Sequence, residues 1–440
     1  HFVLALRAIP IAFGGTKMND NSGSDNTFAL NKPIGQVLIY DRTRCFSLVK
    51  LSYLLTLIAL VLSPFYFGGS GKPQISHVVM AIAAILNVIS TKTRVEKWWA
   101  SGLFFAAYTM SVGLVVFVAH CDLTTLQAPL YYMFNFLIWV HLVTLSSKIG
   151  TARILKSFNL TLWAVFAMEL LLLVTGTGRM YGASRAMGTF NDPNQMANWI
   201  VCVSTMLAAI GWAINRSWVN MYVAAGMATI AVAYTASRSG ALGLLPLILS
   251  CCVIAGHWLI SLVAGRKRVK IAVLTLLCVL VIVLSVCLTA DPQGVALRAE
   301  TTMNRIINWL GRFRDTSSNT SFEGRGYDRL WKFPEYLLLG AGEGANYRWE
   351  RRTIFSGEIH STPAGVLFCY GLPGTFCLGT FLYKTWSGLP SRLLKFLLLA
   401  PLLYGLGTYN LRNWCLWIVF AIFNVITRHV AASHGKSGCG

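Results

Sequence analysis

Charge is scarce in this chain, and negative charge scarcest: Asp and Glu number 16 in 440 residues, and charged residues of both signs make up 12%. Soluble domains carry about 25%, so two or three soluble domains are excluded. The 55% hydrophobic content excludes a disordered or collagen-like chain, because apolar runs of this length aggregate in water. It also excludes a soluble nucleic-acid binder, although the net charge is +21, and the basic excess needs an explanation at a membrane. Metal and redox frameworks are missing too. None of the 11 cysteines forms a C-x-x-C pair, and neither D-x-D nor H-x-x-x-H occurs. Most cysteines (Cys202, Cys251, Cys252, Cys278, Cys287, Cys369, Cys377, Cys415) lie in apolar runs and read as small buried hydrophobes. The expected chemistry is metal-independent and uses no cofactor.

What the chain does have is apolar runs of crossing length, about 20 residues each. Twelve spans are predicted, at 49–68, 76–91, 100–119, 127–146, 159–175, 195–214, 218–236, 241–264, 271–290, 362–382, 393–409 and 412–428. The expected fold is therefore an all-α polytopic membrane protein with one large outer loop carrying short helices. The predicted layout is a tail at 1–46, nine helices in 47–290, the loop at 291–361, three helices in 362–428 and a tail at 429–440. The natural start is expected at Met18, ahead of a polar stretch, and the last residues from Arg428 are expected to be unstructured. Alternate loops are basic: Lys92, Arg94 and Lys97, then Lys148, Arg153 and Lys156, then Arg266 to Lys270, then Lys384 and Arg392. The positive-inside rule puts these loops and both tails in the cytoplasm and the 291–361 loop outside.

Basic residues on the predicted outer face then stand out: Lys72, Arg179, Arg185, Arg238 and Arg412. Arg238 sits in Ser237-Arg238-Ser239-Gly240, a break too short for a loop, which leaves its guanidinium at the membrane boundary. It reads either as a lipid-headgroup anchor or as an anion site. Arg179 and Arg185 flank the loop ending Gly188-Thr189-Phe190-Asn191-Asp192-Pro193-Asn194, whose Asn191 and Asn194 read equally well as caps on the next helix. Glu169, the lone carboxylate within a predicted span, is expected to pair with an arginine such as Arg238. His77, His120, His141 and His257 read as polar partners in helix packing or as interfacial residues.

The 291–361 insert holds 10 basic and 9 acidic residues, and nine of the ten bases are arginine, whose fork of donors suits phosphate or carboxylate. Met303, Ile306, Ile307 and Leu310 repeat with helical spacing and predict an amphipathic surface helix. The arginines from Arg298 to Arg314 read individually as a solvated face. Further on come Gly324 to Trp331, then Gly340-Ala341-Gly342-Glu343-Gly344, and then Glu358-Ile359-His360-Ser361 at the mouth of the tenth predicted span. No strand-helix unit supports a dinucleotide reading of the glycines. His360 is the only histidine of the insert. It titrates near neutral pH, which suits a general base, while a loop histidine also reads as simply solvated.

The ordered set of Gly188 to Asn194, Ser237 to Gly240, Arg329-Leu330-Trp331, Gly340-x-Gly342-x-Gly344, and His360 followed by Gly371-Leu372-Pro373-Gly374 resembles the bacterial O-antigen ligase and O-antigen polymerase superfamily. The resemblance runs from about Gly176 to Trp386. It implies a bundle of the C-type glycosyltransferase kind in the bacterial inner membrane, with its site on the periplasmic side. The implied donor is a glycan carried on undecaprenyl diphosphate, and the acceptor is lipid A core, another glycan or another hydroxyl. By the same resemblance His360, Arg238 and Arg329 are catalytic, and Arg185, Arg179, Arg325, Asn191, Asn194, Ser237, Trp331 and Ser361 contact diphosphate or glycan. Two departures stand out. Ser361 replaces the asparagine common after the histidine, and either Arg325 or Arg329 answers to the arginine before the tryptophan, Arg329 being preferred.

The competing reading from another class is a transporter or flippase of lipid-linked sugars or other anions. It calls for two matching halves with paired broken helices, and the sequence shows no such duplication. A structural role in an envelope complex is the third reading.

Overall fold

A computed structural model describes residues 42–69, 71–90, 99–181, 185–263 and 323–436. The predicted ninth span at 271–290, the predicted amphipathic helix at 303–310 and the basic loops at 92–97 and 266–270 lie outside the described residues.

The chain is mostly helical. Its elements are α1 (Arg42–Val61), α2 (Ile75–Ser90), α3 (Ala100–His120), α4 (Thr124–Ile149), α5 (Thr151–Thr175), β1 (Arg179–Tyr181), β2 (Arg185–Gly188), α6 (Pro193–Asn215), α7 (Val219–Thr235) and α8 (Arg238–Val263). Then follow the short α9 (Arg329–Lys332) and α10 (Tyr336–Leu339), and α11 (Thr362–Ser387), α12 (Arg392–Gly407) and α13 (Trp414–Lys436). Seven of these helices, α3 to α6, α8, α11 and α13, are long and apolar enough to cross a membrane. Each predicted run within the described residues falls on a helix.

Three boundaries differ from the expectation. α1 begins at Arg42, inside the predicted tail, and stops at Val61 because Pro64 and the Gly68-Gly69 pair disfavour helix beyond it. α13 continues to Lys436, where an unstructured end was expected. The helix is docked at the point where the loose end was expected to begin, with Arg428 donating to the Val143 carbonyl at 3.2 Å and His429 Nδ1 lying 3.2 Å from the Thr151 hydroxyl. The all-α expectation also misses a small antiparallel hairpin, β1 with β2, which pairs Tyr181 with Arg185 and Met180 with Ala186.

α6 is the centre of the bundle and is almost wholly buried, with α5, α7, α8, α12 and α13 against it. Ala197, Ala208, Ala209 and Gly211 make close approach possible, the packing mode of helices in lipid. Outward faces are apolar as well: Leu54, Ile85, Phe104, Val118, Leu160, Leu171 and Phe376 are exposed, as expected where the solvent is hydrocarbon. Several polar groups inside bond from helix to helix. Thr56 Oγ1 lies 2.9 Å from His141 Nε2, and Asn87 donates to the His141 carbonyl at 3.1 Å. His141 thus has the packing role expected of it.

α11 is broken at Gly371, whose φ of 59° and ψ of −165° are non-helical. Pro373 removes the N–H that would reach the Cys369 carbonyl. The donor comes instead from outside the helix: Gly342 N–H reaches Cys369 O at 2.8 Å and Ala341 N–H reaches Phe368 O at 2.9 Å. The glycine-rich segment is thereby seated against the helix break. Its turns place Gly340, Gly342 and Gly344 at φ of 100°, 69° and 79°, where a side chain is disfavoured. Arg348 closes the segment by donating to the carbonyls of Ala341, Gly342, Gly344 and Ala345.

The segments after α1, α3, α5 and α7, the 323–361 stretch and the α12–α13 link all gather at one end of the bundle. Lys148, Arg153, Lys156, Lys384 and Arg392 lie at the opposite helix ends.

Candidate functional site

The loop from the hairpin into α6 is built around a buried carboxylate. Glu169, 1% exposed, accepts from the Thr189 hydroxyl and from the Thr189 N–H at 3.3 Å. Its observed partner is thus Thr189, where Arg238 was expected. Gly188 has a φ of 57°, and a Cβ there would stand 2.3 Å from Glu169 Oε2, so the turn requires glycine. The α6 cap is Asp192, which accepts from the N–H groups of Asn194 at 2.7 Å and Gln195 at 3.1 Å, with Pro193 in the first helical position. Asn191 and Asn194 are therefore not the cap. Asn191 donates to the Gly68 carbonyl and accepts from Arg179, which also donates to the Tyr66 carbonyl at 2.8 Å. Arg179 and Asn191 thus tie two outer segments together.

Asn194 has a different position. Its side-chain oxygen accepts from the Arg185 guanidinium at 3.0 Å and from the Ser237 hydroxyl at 3.2 Å, while Arg185 Nε donates to the Thr235 carbonyl at 2.9 Å. Tyr404 donates to the Asn194 carbonyl at 2.6 Å. Next to this knot, Ser239 lies 2.7 Å from the Thr408 hydroxyl and Arg325 donates to the Gly407 carbonyl at 3.2 Å. Segments distant in the chain, around Arg185, Asn194, Ser237, Arg325 and Thr408, therefore converge. Arg238 opens α8 at this place and is half-buried. The chain turns into it through Ala236, at a φ of 49°, a conformation that costs a non-glycine residue about 1–2 kcal/mol.

His360 lies at the same end. Its N–H donates to the Arg325 carbonyl at 3.1 Å, and its ring stacks on Phe355 with centroids 5.0 Å apart. The ring lines a cavity of about 310 Å³ shared with Asp192, Asn194, Tyr404, Thr408, Lys72 and Arg412. Burial first, then the charges of Arg325 and Arg329, hold the imidazole below its ordinary pKa, and Asp192 opposes them. The result is a neutral, proton-accepting ring at pH 7.

The other expected residues are placed differently. Arg329 is 3% exposed and donates to the carbonyls of Phe355, at 2.9 Å, and of Gly357, which shapes the approach to His360. Ser361 caps α11, its hydroxyl accepting from the Ala364 N–H at 3.5 Å. Trp331 is 56% exposed and lines neither this cavity nor the next.

Sequence reasoning noted Arg412, Glu343 and Glu358 without assigning them a role. Glu343 is buried beneath the glycine-rich segment, where both phenols of Tyr132 and Tyr409 donate to its Oε1, the latter at 2.7 Å. Arg412 lies 3.7 Å from Glu343 Oε2 and is ion-paired with Glu358. A second cavity, of about 390 Å³, opens beside this network and shares Glu358, Tyr409 and Arg412 with the first. The available signal was a carboxylate set among alternating glycines, a place where the backbone is held for a purpose. Among the described residues, no group of three His, Cys, Asp or Glu side chains could hold a metal ion. No protein-family model matches the chain, and no curated protein matches it.

Proposed function

We propose that this protein is a membrane glycosyltransferase that moves a glycan from a polyprenyl-diphosphate donor, of the undecaprenyl kind, to an acceptor hydroxyl. The observation that carries the reading is the cavity at one end of the bundle, lined by a neutral His360 together with Asn194, Lys72 and Arg412, with Arg185 bonded to Asn194 and Arg325 bonded to Gly407 next to the lining residue Thr408. The acceptor oxygen attacks the anomeric carbon as His360 takes its proton, a new glycosidic bond forms with inversion, and the diphosphate leaves with the bonding electron pair. Guanidinium groups nearby offset the charge that grows on the leaving group. The polyprenyl tail lies along the apolar outer faces of the helices.

The basic helix ends opposite the cavity, with Lys148, Arg153, Lys156, Lys384 and Arg392, support placing that end in the cytoplasm and the cavity on the periplasmic side of a bacterial inner membrane. A transporter would draw on the break in α11. Among the described residues, though, no second helix contains a non-helical residue to pair with it.

The test is transfer by the purified protein from an undecaprenyl-diphosphate glycan to alternative acceptors (lipid A core, free glycan, a protein hydroxyl), with and without divalent metal. Activity is expected with one acceptor class and is expected to vanish in His360→Ala and Arg238→Ala at unchanged membrane expression. Full activity in both variants removes the assignment.

A further inference from the structure

The first turns of α2 and α4 enclose an apolar groove beside the first cavity. Pro73, Val78, Ala81, Leu130 and Phe134 line it, and its volume is about 310 Å³. Val78 and Leu130 are 55% and 58% exposed, so the groove is open on the side that faces hydrocarbon. His77 and Tyr131 line both the groove and the first cavity, so the two meet at these side chains. His77 Nδ1 accepts from the Gln74 N–H at 3.0 Å, which leaves the proton of the neutral ring on Nε2. That N–H has no hydrogen-bond partner among the described residues, and it is not sealed off, although Tyr131, Phe134 and Trp414 pack around the ring. Lys72, in the wall of the first cavity, likewise carries an ammonium without a partner among the described residues. The carboxylates of that cavity are engaged elsewhere, since Asp192 caps α6 and Glu358 is ion-paired with Arg412.

An apolar groove that ends at unpaired donors fits a lipid chain with an anionic head. The other two polar side chains of the groove, Gln127 and Tyr131, both donate to the Gly71 carbonyl, at 2.8 and 3.0 Å, so the wall passes abruptly from apolar surface to His77 and Lys72. A glycerophospholipid interposes ester groups between its chains and its phosphate, whereas a polyprenyl diphosphate joins a single chain to its head directly. The geometry points to this groove as the seat of the first units of a polyprenyl chain, with the diphosphate at His77 Nε2 and Lys72. The carrier then enters sideways from the bilayer, between α2 and α4. Its role as glycan donor rests on the transferase reading above, while the groove and its junction with the cavity stand on their own.

Ala81 is half-buried in the groove wall and Leu130 is exposed there, so Ala81→Trp fills the groove and Leu130→Glu puts a charge in it. Ile85, exposed on the same helix outside the groove, is the control position. The experiment measures the affinity of the purified full chain in detergent for undecaprenyl diphosphate, with dioleoylphosphatidylglycerol as competitor and the thermal midpoint as the check on folding. The polyprenyl lipid is expected to bind and to resist an equal concentration of phosphatidylglycerol. Both groove variants are expected to bind it roughly tenfold or more weakly, because about two buried CH₂ groups already account for that factor. Lys72→Gln should also weaken binding, and Ile85→Trp should leave it unchanged. The site is refuted if the lipid does not bind, if either groove variant binds it as the unaltered chain does, if Ile85→Trp weakens it as much, or if phosphatidylglycerol displaces it. A lower midpoint in both groove variants refutes it too, since a groove open to hydrocarbon tolerates either side chain. Weakened lipid binding in the groove variants of a protein without transferase activity upholds the groove and removes the transferase reading, whereas full transfer in both variants keeps the transferase and removes the groove.

Discussion

Arg185 donates to Asn194 at 3.0 Å, and this one bond fastens the outer hairpin to the first turn of the central helix. The guanidinium makes a second bond to the Thr235 carbonyl from a different nitrogen, a geometry open to a planar fork and closed to an ammonium. Arg185→Lys should therefore behave nearly as Arg185→Ala. Loss of a charged hydrogen bond of about 1.5–3 kcal/mol predicts roughly a ten- to hundredfold fall in transfer rate, read against unchanged expression.

The pH profile tests His360. Its pKa in the fold lies below 6.5, so the neutral base persists as the medium is acidified, and the acid limb of the rate should have its midpoint below pH 6.5. Removing a positive neighbour with Arg325→Gln should move that limb to higher pH. Asp192→Asn should move it lower, because the carboxylate favours the imidazolium. A limb that ignores both substitutions argues against His360 as the base.

Gly188→Ala is expected to destabilise the protein. The left-handed φ alone costs about 1–2 kcal/mol, and the methyl group would stand 2.3 Å from the Glu169 carboxylate. A lower thermal midpoint in detergent checks this, and an unchanged midpoint contradicts the described turn.

Arg412 separates two unequal carboxylates. The Glu343 side chain is 6% exposed and that of Glu358 41%, so water supports the second when its partner is removed and cannot support the first. Arg412→Gln should lower the midpoint more than Glu358→Gln does, because a buried charge without a counterion is the costly case.

Much of the architecture was legible in the sequence because a helix in lipid announces itself by length and composition alone. Where the reading went astray, at the α13 end and the β1–β2 hairpin, the deciding forces were contacts that no local pattern reports. The site shows the same division. Arg185 stood out as a base on the predicted outer face, Ser237 in a break between apolar runs and His360 as the histidine of the insert, while Asn194 and Arg325 were carried by the resemblance, and the five do come together. Trp331 was carried by the resemblance and stands apart. The bond between Tyr132 and Glu343 spans 211 residues of chain, a separation at which periodicity carries no information. Asp192 was overshadowed by its neighbours, since any of three short polar side chains in that loop could start a helix.

The break in α11 bears on biogenesis. The carbonyl groups of Phe368 and Cys369 accept from Ala341 and Gly342, Tyr108 of α3 donates to the Leu339 carbonyl at 2.7 Å, and Gly342 lies against Val116. Early helices therefore leave the translocon with an unfilled groove that only a segment synthesised some two hundred residues later can close. A nascent chain halted before Leu339 would keep that groove open to lipid and to quality-control proteases, which makes the last third of the polypeptide the point at which assembly succeeds or fails.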